Sequence, residues 1–159
     1  MRLYIKQKVF SFRDRFSVYD ETGREVYHAF GEIMTFGHKL HITDLRDNEV
    51  AYVHQQLLSF LPRYFISRNG DDVAEVVKHF SFLHQSYTVD GFGWNVEGDF
   101  FAHEFSAEKD GRTVFTVSKQ WLTWGDTYEI HVADGVDAVN ALAVVLIIDN
   151  CMQRQNSSN

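Results

Sequence analysis

Asp134-Gly135-Val136-Asp137-Ala138-Val139-Asn140-Ala141-Leu142-Ala143-Val144-Val145-Leu146-Ile147-Ile148-Asp149-Asn150 decides how the rest of this chain folds. An acidic cap with a second carboxylate three residues on marks a helix start. Across residues 136–148 only Asp137 and Asn140 are polar. Ala138, Leu142 and Val145 fall on one helical face, Val139, Ala143 and Leu146 on another, and Val144, Ile147 and Ile148 on the rest. A helix that is apolar all round must be enclosed. Its longest apolar run, residues 141–148, is far short of the roughly 18 to 20 residues that cross a bilayer. The enclosure therefore has to come from the protein itself.

The preceding sequence supplies a wall. It repeats with a period of 24, placing Phe10, Met34, Leu58 and Phe82 in one column, Phe12, Phe36 and Phe60 in a second, Phe16, Leu40 and Tyr64 in a third, and Val18, Ile42 and Ile66 in a fourth. The columns are separated by even numbers of residues, the pattern of half-buried strands. Turn chemistry at Asp20-Glu21-Thr22-Gly23, Asp47-Asn48, Asn69-Gly70-Asp71 and Lys109-Asp110-Gly111 divides the units into hairpins. The last of these joins residues 101–108 to residues 113–119. A leucine-rich repeat lacks its signature here, and a propeller blade would need nearly two units. No crossover helix precedes residue 134, so about 11 or 12 strands pair antiparallel with their sequence neighbours. Closing that many strands leaves a centre wide enough for a helix. The expected fold is mainly β: a closed antiparallel barrel of about 12 strands around a central hydrophobic helix at about 134–150. One domain would span residues 1–152, followed by a polar tail at 153–159.

Several stretches resemble the LURP-one-related family: Tyr4-Ile5-Lys6-Gln7-Lys8, Val18-Tyr19-Asp20-Glu21-Thr22-Gly23, Glu49-Val50-Ala51-Tyr52-Val53 and Glu97-Gly98-Asp99-Phe100. Ser118-Lys119-Gln120-Trp121, Trp124-Gly125-Asp126-Thr127-Tyr128 and Ile147-Ile148-Asp149 continue the likeness. The resemblance runs from about residue 3 to residue 150. It implies a fold similar to the tubby C-terminal domain and the phospholipid scramblases, a twelve-stranded barrel around a hydrophobic C-terminal helix. Tubby domains bind phosphoinositides and scramblases act at membranes; no ligand residue carries over from either to this chain.

Charge narrows the functional classes. The first 15 residues hold five basic side chains against one acidic, and the other 144 hold ten against 21. Such a chain has no broad attraction for nucleic acid. Arg2, Lys6 and Lys8 share a strand face with Tyr4, and Arg13 and Arg15 follow at the hairpin, a local stripe suited to a lipid phosphate or to a solvated face. Trp121 and Trp124 flank a short loop that suits a stacking platform or a plug at a barrel end. The lone cysteine, Cys151, forms no intramolecular disulfide and falls on the apolar helix, where burial keeps a thiol inert. It suggests a reducing, cytoplasmic setting, and the charged N-terminus does not read as a signal peptide.

Catalytic patterns are weak. His38 and His41, like His79 and His84, sit at odd spacings that point to opposite strand faces. His103-Glu104 lacks a second zinc-binding histidine, and Gly91-Phe92-Gly93 leads into strand-like sequence where a dinucleotide site needs a helix. Glu97, Asp99 and Glu104 read as strand-end carboxylates, and Asp149 as the point where the helix reaches the barrel rim. No cofactor and no metal site are expected. The resulting expectation is a non-enzymatic binding module, peripheral to anionic phospholipid; the alternatives are a protein-interaction scaffold and, third, an enzyme.

Overall fold

Asp137, rather than Asp134, caps the C-terminal helix. In the computed structural model, which describes residues 1–6, 15–32, 36–120 and 127–158, helix α1 runs Ala138–Ser157 and the Asp137 carboxylate accepts from the Val139 and Asn140 amides at 2.9 and 3.1 Å. Arg68 reaches the same end, donating to Asn140 at 2.7 Å and pairing with Asp137 at 3.3 Å. From Ala141 to Met152 every side chain is buried. The helix outlasts its expected limit near residue 150 because its polar turns find partners. Gln153 donates to Asp149 one turn back at 2.8 Å. Arg154 donates to Gln55 at 3.2 Å, and Gln155 accepts from Lys78 and Gln85 at 3.1 and 3.3 Å. Residues 153–157 are thus helical, where the composition suggests a frayed tail.

Twelve strands enclose α1. In chain order they are β1 (Arg2–Lys6), β2 (Phe16–Asp20), β3 (Glu25–Gly31), β4 (Lys39–Thr43), β5 (Glu49–Gln55) and β6 (Arg63–Arg68), then β7 (Asp71–Phe80), β8 (Gln85–Asp90), β9 (Trp94–Asp99), β10 (Glu104–Lys109), β11 (Arg112–Gln120) and β12 (Thr127–Val132). Each pairs antiparallel with its sequence neighbours, and β1 pairs with β12 from Arg2 opposite His131 to Lys6 opposite Thr127, which closes the barrel. Closure leaves no open sheet edge. The inward rows stack in register around the helix: Ile5 opposite Val18, Ala29 opposite Ile42, Val53 opposite Ile66, Val76 opposite Val89 and Val117 opposite Ile130. These residues and α1 form one hydrophobic core.

Alternation of strand direction gives the barrel two unlike ends. At one, β2–β3, β4–β5, β6–β7, β8–β9 and β10–β11 are joined by tight turns. Asn69-Gly70 and Asp110-Gly111 both hold two successive positive φ values, the backbone that a two-residue hairpin requires. Asp20 and Asp44 close their turns by accepting backbone amides two and four residues on. This turn end also holds the start of α1. The other, loop end carries the β3–β4, β5–β6, β7–β8 and β9–β10 connections and the final turns of α1.

The 24-residue columns divide between these regions. Val18, Ile42 and Ile66 are fully buried, Leu40 and Tyr64 are buried, and Phe16 is half-buried. Phe36, Leu58, Phe60 and Phe82 are each at least 92 % exposed, although their spacing reads as strand. They belong to the loop-end connections, beyond the last ladder pairs, so the even spacing continues where the sheet does not. Phe10, Phe12 and Met34 lie outside the described residues.

Gly98, like Gly91 in the β8–β9 turn, is required by close approach. Gly98 has φ +138, and a Cβ there would lie 2.6 Å from both the Glu104 carbonyl oxygen and the Phe105 Cα on the paired strand. Gly98→Ala should cost about 2 to 4 kcal/mol, through strain and a displaced β9–β10 pair. A urea midpoint unchanged from wild type would show that the strands part without cost.

Candidate functional site

The loop end concentrates the exposed apolar side chains. Phe36 leaves the β3–β4 connection, Leu57, Leu58 and Phe60 the β5–β6 loop, Phe80, Phe82 and Leu83 the end of β7 and the turn after it, and Phe101 the β9–β10 turn. Among the described residues the turn end exposes only Leu45 and Met1 as large apolar side chains. Singly exposed apolar residues are ordinary, but eight on one end of one barrel form a patch of the kind that marks an interaction surface.

Within this rim lies a cavity of about 670 Å³, bounded by the β5–β6 loop, β7 and the last turns of α1. Lys78, on β7, follows Ala74 and Val76 along the inward row and stands opposite Tyr87. Its ammonium is buried, donates to Gln155 and sits 4.8 Å above the Phe80 ring. Burial pulls its pKa below the ordinary lysine value, and Cys151 opposes that shift. Arg154 is exposed beside it. Across the cavity, burial and then the Arg154 charge push His38 down toward its neutral form.

Below the cavity a polar collar surrounds α1. Tyr64 donates to Asn150 at 3.2 Å, and Asn150 lies 3.3 Å from the His38 ring. Burial raises the pKa values of Tyr64, Tyr87 and Tyr128, and that of Cys151 as well, so the thiol is held protonated. Asp149 is 5 % exposed, not at an open rim: it pairs with His103 at 3.3 Å, and His103 stacks on Tyr128 with ring centroids 5.0 Å apart. The partner comes from a turn 46 residues away in sequence, which no local spacing reveals.

The described N-terminal basic residues each have a near neighbour. Arg2 pairs with Glu129 at 3.3 Å. Arg15 pairs with Asp47 and donates to His28 at 2.6 Å. Lys6 lies 4.7 Å above the Tyr19 ring. Lys8, Arg13, Trp121 and Trp124 lie outside the described residues.

Several of the other histidines and carboxylates meet neighbouring groups. His41 bridges Glu32 and Glu49 at 3.0 and 2.5 Å, and Phe30, His41, Tyr52, His54 and Phe65 stack as one ladder across four strands of the outer wall. His79 meets Thr88 at 2.8 Å. Asp99 accepts the Ala102 amide and Glu104 the Lys119 amide. Gly91-Phe92-Gly93 is the turn between β8 and β9.

A twelve-stranded antiparallel barrel filled by its own C-terminal helix, with a cavity at its mouth, defines the class of helix-plugged barrels. The chain belongs to the LURP-one-related family, whose model matches residues 1–149. It is 34 % identical over 149 residues, 94 % of this chain and 92 % of the relative, to the uncharacterized protein YxjI of Bacillus subtilis (strain 168). An X-ray structure of an Arabidopsis thaliana protein shares the fold with a TM-score of 0.67 at 14 % identity, over 94 % of this chain and 90 % of that one. Among the described residues no helix is long and apolar enough to cross a membrane.

Proposed function

We propose that this chain is a non-enzymatic, peripheral binding module that docks its loop end on an anionic phospholipid surface. The observation that carries the reading is the concentration of exposed Phe and Leu side chains at the end where, among the described residues, Lys78 and Arg154 stand without a carboxylate partner. Apolar side chains set among cations suit an interface that is oily within and anionic at its surface. The net charge of −7 opposes approach by any other face. Lys6, which sits over the Tyr19 ring, fits the same role; Lys8, Arg13, Trp121 and Trp124 are included on sequence alone. Arg2 and Arg15 contribute less, being already paired with Glu129 and Asp47. A cytoplasmic site of action goes with this proposal.

Flotation with phosphatidylcholine vesicles, with and without phosphatidylglycerol, at low and near-physiological salt tests it. Wild type should float with the anionic vesicles at both salts. Leu58→Ser/Phe60→Ser should bind about thirtyfold more weakly, since withdrawing two large side chains from the interface forfeits about 2 kcal/mol. Leu45→Ser, at the turn end, should leave binding unchanged. Absence of flotation under every condition would refute the lipid reading and favour a protein-interaction scaffold using the same rim.

A further inference from the structure

We infer that the cavity at the C-terminal end of α1 is a binding site for a phosphate monoester, with Lys78 and Arg154 as its counter-charges. The inference deepens the loop-end reading and rests on it in one respect: a lipid-borne ester would leave the cavity past Leu58 and Phe60.

Lys78 carries the argument. It is 4 % exposed and occupies an inward position of a barrel wall, where its row otherwise holds Ala74 and Val76. Among the described residues no carboxylate lies within ion-pair distance of it; its one hydrogen bond goes to the neutral Gln155 carbonyl oxygen, which Gln85 also fills. An ammonium has three N–H groups, one of which serves Gln155; the Phe80 and Tyr87 rings stand 4.8 and 5.9 Å from the nitrogen and neutralise no charge. A buried charge without a counter-ion is costly and is kept where something else supplies the opposite charge. Inward-pointing lysines also protect open sheet edges, but this barrel has none. Complementing the helix dipole accounts for Arg154, which lies in the last turn of α1. It does not account for a buried lysine on β7.

The lining points to an anion. Among the described residues no Asp or Glu borders the cavity, although the chain is acidic overall. Arg154 donates to Gln55 at 3.2 Å and retains further guanidinium donors. A volume of about 670 Å³ falls within the ordinary range for small-molecule sites. A phosphate monoester carries close to two negative charges and three acceptor oxygens, which matches two cations better than the single charge of a carboxylate. The group can be a lipid headgroup or belong to a water-soluble ester; the cavity reads the phosphate.

The test compares the wild-type protein with Lys78→Met and Arg154→Gln, using inorganic phosphate, phosphatidic acid vesicles and phosphatidylglycerol vesicles of equal charge density. Phosphate binding is followed by amide chemical shifts and vesicle binding by co-sedimentation. Lys78→Met removes a buried charge and should fold with an unchanged or raised melting temperature; Arg154→Gln, at an exposed position, gives a second reading free of the core. Wild type should prefer phosphatidic acid over phosphatidylglycerol about tenfold, and both variants should lose that preference along with the phosphate-induced shifts. Phosphate shifts lost in Lys78→Met, with no vesicle binding by wild type, would support the site for a soluble ester and overturn the membrane reading. Vesicle binding that both variants retain, without phosphate shifts in wild type, would overturn the site and leave the membrane reading standing. Absence of all binding would overturn both.

Discussion

Leu142→Asp is expected to leave no folded protein. Leu142 lies in the middle of α1 with no exposed surface, so an aspartate there meets an apolar wall in every direction. The substitution removes a buried leucine, worth about 2 to 5 kcal/mol in comparable cores, and adds a carboxylate whose desolvation costs several kcal/mol more. A domain of this size has roughly 5 to 15 kcal/mol of stability to lose. The variant should be insoluble, or should show no cooperative thermal transition by circular dichroism. Leu142→Ala, which creates a cavity without a charge, should remain folded with a lowered midpoint. A soluble Leu142→Asp protein melting near wild type would mean that α1 is not enclosed.

Ending the chain at Ala133 should be as damaging. All twelve strands would remain, but the inward rows would surround an empty centre once filled by the apolar turns of α1. Eight strands can fill a barrel with their own side chains; twelve cannot. Arg68 would lose its partners at the helix start, and Tyr64 its Asn150 acceptor near the loop end. The expected product aggregates or behaves as a collapsed state that binds a hydrophobic dye and lacks a sharp melting transition. A monomeric fragment of residues 1–133 that unfolds cooperatively would show that the strands alone specify the barrel.

The architecture is legible in the sequence because its signals are local. The apolar circumference of residues 136–148 demands an enclosure, Asn69-Gly70 and Asp110-Gly111 encode their own hairpin geometry, and Val18, Ile42 and Ile66 keep one register across three units. The family resemblance agrees with each of these. Misreadings arise where the decisive partner is remote. Residues 153–157 look like a tail until Lys78 and Gln55 supply hydrogen bonds from 77 and 99 residues away. Asp149 looks like a rim residue until the β9–β10 turn delivers His103. Phe36, Leu58 and Phe60 fit the spacing of strands but fall in connections, because hydrophobic periodicity does not report where ladder pairing stops.

The candidate site is less legible than the fold. The basic stripe of Arg2, Lys6, Lys8, Arg13 and Arg15 is visible in the sequence because its charges cluster, yet two of its members are already paired with acids that arrive from β12 and from the β4–β5 turn. Lys78 attracts no notice in Val76-Val77-Lys78-His79. Its inward direction was recoverable from alternation once Ala74 and Val76 were placed inside, which makes a charged residue on an otherwise apolar row the usable signal. The cationic cavity appears only when β7, the β5–β6 loop and the end of α1 are brought together.

The claim that the loop end is the contact surface is tested most directly by hydrogen exchange of the intact protein, with and without vesicles containing phosphatidic acid. Bound vesicles should slow exchange in residues 36–38, 56–62, 80–84 and 100–103, and leave residues 20–24, 44–48, 69–71 and 110–112 unchanged. Protection confined to the second set, or no difference between the two states, would contradict the account.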